Sequence, residues 1–117
     1  MFNLNEKENM ITEEIKSKLE AAIVIAVSNR ESLLERKKNV ERLMEVFPHE
    51  SGEKSLKLLK YTIKYFQCVE VLMREQLSLN LTIPEEVERL KRLDKAINVL
   101  SERTSRLINS KTSTVQC

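Results

Sequence analysis

Four lysines, Lys54, Lys57, Lys60 and Lys64, recur at spacings of three and four, and Glu53 is the only acid between residues 51 and 69. On a helix that spacing gathers the ammonium groups along one side. Tyr61 and Tyr65 stand beside them in the stretch KYTIKYF. Ammonium groups neutralise phosphates and aromatic rings stack on bases, so this row offers anion or nucleic-acid binding. An acidic protein partner would use the same charges, and an ordinary solvated lysine face would carry them idly.

Catalysis finds fewer materials. A Ser–His or Cys–His pair needs a histidine in reach, and the only one, His49, follows Pro48 in a stretch that reads as a turn. Bundle metal sites use Glu-x-x-His, but the residue three before His49 is Val46. One glycine, Gly52, cannot build a phosphate loop. Cys68 and Cys117 form no C-x-x-C pair, and their scarcity suits a reducing compartment. Glu31 and Glu35, with Arg30 and Lys38, read as a solvated charged face. The residues therefore imply no catalytic group, cofactor or metal. The closing VQC fits a carboxylate-binding groove only loosely.

The remaining chemistry is apolar contact. Ala21 to Val27 are seven apolar residues in a row, about two turns of helix with no polar side. Leu19, Ile23, Ala26 and Val27 share one seam, whereas Val24 and Ile25 point roughly the other way. Ser17, Ala21, Ser28 and Ser32 lie beside that pair, and small residues let another helix approach closely. Ala21, Val24, Ile25 and Ser28, with a second stripe at Leu58, Tyr65, Val69 and Leu72, exceed what three helices need among themselves. Such a surplus marks a partner site. Asn29 and Arg36 interrupt a heptad seam, where a polar group selects register and partner.

The elements that must carry these residues are long helices. The chain has 117 residues, with one glycine and two prolines, too little turn chemistry for an all-β fold of that length. Hydrophobic residues at 41% and charged residues at 32% fit a single globular domain, and a net charge of +2 is no histone-like excess. Heptad spacing through Leu19, Ala26, Leu33, Val40 and Phe47, with Ile15, Ala22 and Leu43 alongside, predicts a helix over 12–47. Thr12 serves as its cap. A break near Ser28, where SNRE has capping-box spacing, is the alternative. Pro48 and Gly52 mark the first turn, a second helix covers 53–79, and Pro84 behind Thr82 or Ile83 opens a third over 84–109. Residues 1–11 and 110–117 are expected to be flexible flanks.

Short turns between long helices imply an all-α, up-down-up antiparallel bundle. The expected function is a non-enzymatic helical interaction module (regulator, inhibitor, adaptor or chaperone) that forms a homo-oligomer, most simply a dimer. Alternatives are a nucleic-acid-binding protein using the lysine row, or a structural subunit of a viral or phage assembly. No signal peptide and no membrane span are read, so the expected location is the cytoplasm.

Overall fold

A computed structural model describes the backbone over residues 4–113 and the side chains over 12–109. Three helices account for nearly all of it: α1 (Leu4–Val46), α2 (Glu50–Leu77) and α3 (Pro84–Ser113). No strand occurs among the described residues. The long axis measures 70 Å, close to the span of α1 alone.

Helix α1 is unbroken through Ser28. It also starts eight residues before the expected cap, so Thr12 lies inside it and residues 4–11 are helical. The reason is local: Leu4 to Ile11 contain neither Gly nor Pro and include Glu6, Lys7, Glu8 and Met10, all good helix formers. At the other end α3 runs on to Ser113. Residues 114–117, with Cys117 and the terminal VQC, lie outside the described residues.

The first turn differs from expectation in a way that changes two roles. Pro48 ends α1 as expected, because a residue before proline resists the helical region. His49, however, is the N-cap of α2: its backbone is extended and its Nδ1 accepts the Gly52 N–H at 3.1 Å. The Ser51 hydroxyl lies 2.7 Å from the same nitrogen. Gly52 is consequently not a stop but a buried residue of the first turn of α2. A Cβ at that position would collide with the Met44 sulfur, so glycine here permits close approach of the two helices. Replacing His49 by alanine is expected to cost about 1 kcal/mol, the usual worth of a cap, and His49→Asp to restore most of it. Urea denaturation of the three proteins checks this.

The second turn follows the sequence closely. The Val87 N–H bonds the Ile83 carbonyl at 3.1 Å, which puts Pro84 at the first helical position. Asn80 organises the loop, its Oδ1 accepting from the Thr82 N–H at 3.1 Å while its own N–H donates to Glu86 at 2.8 Å.

Antiparallel order is fixed by contacts across the helices. Arg30 of α1 pairs with Glu70 of α2, and Arg89 of α3 with Glu75 of α2. Buried Gln76 donates to the Leu90 carbonyl at 3.3 Å. The core centres on Ile23, Ala26, Val69 and Met73, with Leu19, Tyr65, Phe66 and Ile97 packed around it. The helices are not equal partners, however. α2 packs on both neighbours, whereas no Cα of α1 comes within 8 Å of one in α3 among the described residues. The bundle is an open V with α2 at its apex.

Candidate interaction site

The open V decides which apolar residues are spent inside the chain. On α2 the second stripe is not surplus. Val69 is core at 7% exposure, which corrects its assignment to a partner surface. Tyr65 is half-buried against the core with its ring edge-on to Phe66, centroids 5.1 Å apart. Leu72 lines a shallow apolar groove with Cys68, Val71 and Leu100, and Leu58 lines another with Leu33 and Val40. These α2 residues seat α1 and α3.

On α1 the outcome is the opposite. Val24 and Ile25 are 67% and 61% exposed although they directly follow buried Ile23. Ser17, Ala21, Ser28 and Ser32 are exposed with them. Together they form a strip of small and apolar side chains on the outer face of α1, facing away from α2. A second exposed group, Leu43, Val46 and Phe47, gathers where α1 ends.

Asn29 and Arg36 do not sit within a closed seam. Both are exposed, and Arg36 borders the groove that Leu33 and Val40 form with Leu58 of α2. Register is set elsewhere, by a cluster that shows in the sequence only as an interruption. The Glu70 carboxylate accepts from Arg74 Nε and Nη2 at 3.1 and 2.9 Å on one oxygen and from Arg30 on the other. The hydrogen bonds from Arg74, reinforced by the charges of both guanidiniums, outweigh desolvation and hold this carboxyl below its ordinary value of 4.5. A depressed carboxylate pKa contributes stability that is fully present above the ordinary value and lost as pH falls through the folded one. Glu70→Gln is therefore expected to lower the melting temperature at neutral pH. The difference from wild type should shrink as pH falls below 4.5, and a thermal melt series across that range measures it.

The lysine row is partly as expected. Lys54 pairs with Glu50 at 3.7 Å, an acid just outside the stretch that reads as unopposed. Lys57, Lys60 and Lys64 are exposed and form no ion pair among the described residues. Among those residues no group of three or more His, Cys, Asp or Glu is placed to hold a metal ion, and no helix is long and apolar enough to cross a membrane.

The structure thus defines an open three-helix bundle whose distinguishing surfaces are an uncovered strip on α1 and an unpaired basic flank. Comparison with models of protein families, with curated proteins and with solved structures gives no significant match.

Proposed function

We propose that the chain is a non-enzymatic helical interaction module of the cytoplasm that pairs with a second copy of itself through the outer strip of α1. The exposure of Val24 and Ile25 carries this reading, since a chain that packs their neighbour Ile23 leaves both uncovered. The strip also reads alike in both directions. Val24 and Ile25 stand at its centre, Ala21 and Ser28 flank them equally, and Ser17 and Ser32 lie equally further out. A two-fold interface requires such self-complementarity, because each residue meets its mirror position on the other copy. An antiparallel pair of α1 helices would set Val24 against Ile25 and Ala21 against Ser28, with small residues allowing close approach. Charges at the edges are mixed, Glu20 meeting Glu31 and Glu13 meeting Lys38, so apolar burial carries the pair.

As a regulator, inhibitor, adaptor or chaperone, such a dimer would present its two open V-shaped gaps on the same side, because the two-fold axis of an antiparallel pair runs perpendicular to the plane of the two helices. Light scattering coupled to size exclusion tests the reading over a concentration series. A mass of twice the chain, approached as concentration rises, supports it. A mass that stays at one chain to the solubility limit overturns it, and growth beyond two favours a structural subunit of a larger assembly.

A further inference from the structure

At 100° per residue Lys57, Lys60, Lys64, Gln67, Val71 and Glu75 fall on one stripe of α2. Arg89, Ala96, Leu100, Arg103 and Leu107 fall on one stripe of α3 in the same way. The two stripes meet at two heights. Glu75 pairs with Arg89, and Gln67 and Val71 line an apolar groove with Leu100, half-buried Cys68 and Leu72 beneath them. The helices are antiparallel, so both stripes run on together from the groove, Arg103 level with Lys64 and Leu107 level with Lys60. Lys57, Lys60, Lys64 and Arg103 are exposed and form no ion pair among the described residues. Val71 and Leu107 are 65% and 44% exposed. The lysine row is thus one edge of a two-helix face with an apolar middle, and Glu53 is the acid at its far end.

We propose that this face takes an amphipathic helix of another protein, its apolar stripe seated in the groove and its flank acidic. Charge complementarity names the flank, since Lys57, Lys60, Lys64 and Arg103 have no carboxylate partners of their own. Spacing names the stripe. Leu100 and Leu107 stand about 10 Å apart along α3, two helical turns, which matches apolar anchors at i, i+3 or i+4, and i+7 of a docked helix. An apolar centre with a charged rim is how protein interfaces are built, and the positive rim steers the encounter. Nucleic acid fits less well, because a phosphate backbone has no apolar group to place in the groove. A second copy offering α1 here would make a head-to-tail contact, which leaves a free face at each end. The face uses no residue of α1, so the proposal is independent of pairing through Val24 and Ile25.

Anisotropy of a fluorescein-labelled synthetic peptide, about five helical turns long, tests it on the full chain. The peptide carries leucine at every third and fourth position and glutamate along the flank, and a counterpart carries lysine for each glutamate. The acidic peptide is expected to bind, and the basic one at least ~10-fold more weakly. Val71→Glu should lower affinity for the acidic peptide at least ~10-fold, as should Lys60→Glu/Lys64→Glu. Lys38→Glu/Arg42→Glu on α1 changes net charge as the lysine pair does and should bind as wild type. Cys68 reports position: in a Cys117→Ser background, saturating peptide should slow its alkylation at least ~10-fold. Circular dichroism confirms that helicity is kept, and Val71→Gln or Lys60→Gln/Lys64→Gln replaces any variant that loses it. No binding of the acidic peptide overturns the proposal, as does equal binding of the basic one. So does wild-type affinity in either face variant, unchanged alkylation of Cys68, or an equal loss in the α1 control. A DNA duplex that displaces the peptide at equal charge assigns the face to nucleic acid. Self-association that Val71→Glu abolishes in light scattering assigns it to a second copy, and either result overturns the proposal.

Discussion

Replacing Ile23 by alanine is expected to destabilise the chain by about 2–3 kcal/mol and to lower the melting temperature by about 10 °C, while Val24→Ala one residue later costs under ~0.5 kcal/mol. Ile23 is 5% exposed and packs in the central cluster with Ala26, Val69 and Met73. Truncation there removes transfer energy and leaves a void that two rigid helices cannot close. The expected cost lies in the lower half of the range for such substitutions because the core is shallow. Among the described residues no side chain is wholly sealed, and the V is open to one side. Val24 touches little within its own chain, so its removal costs little there. If α1 pairs with itself, the small cost of Val24→Ala grows with protein concentration, because ligand-like association stabilises only the folded form. Urea titrations of both variants at two protein concentrations separate the terms. A Val24→Ala cost equal to that of Ile23→Ala would show that the outer strip is covered within a single chain.

Much of this is legible from residue spacing. The scarcity of Gly and Pro specifies three long helices, and Pro84 with Glu85 and Glu86 locates the start of α3. The heptad phase of α1 also foretells an unbroken helix. The orientation of Val24 and Ile25 away from Ile23 follows from 100° per residue alone. What periodicity cannot supply is the number of neighbours each helix has. Giving every helix two neighbours places Asn29 and Arg36 in a seam and Val69 on the surface, whereas the V exposes the first two and buries the third. Periodicity locates a face, but only packing tells what lies against it. Polar geometry is hidden for a different reason. Glu70 breaks an apolar stripe, and only the position of Arg30, forty residues away, shows that the break is a bridge between helices. His49 and Gly52 both resemble loop residues by composition. Their roles as cap and close-contact site depend on backbone extension at His49 and on Met44 across the hairpin.

Placing glutamates at both Val24 and Ile25 is expected to leave the fold intact and to weaken self-association by more than ~100-fold. The first half follows from exposure: both side chains meet solvent in the isolated chain, and glutamate is at least as good a helix former as the β-branched residues it replaces. The second half follows from desolvation. A two-fold contact at this strip would bury four carboxylates where four aliphatic groups stood, and an unpaired buried charge costs far more than the contact returns. The flanks do not rescue them, because Glu20 and Glu31 already border the strip with the same sign. Helicity by circular dichroism and mass by light scattering are read on one sample. A monomer of wild-type helicity is the expected result. A double variant that remains a dimer would move the interface to another surface, such as the apolar group Leu43, Val46 and Phe47 at the hairpin turn, and a variant that loses helicity would mean the strip serves the chain's own fold.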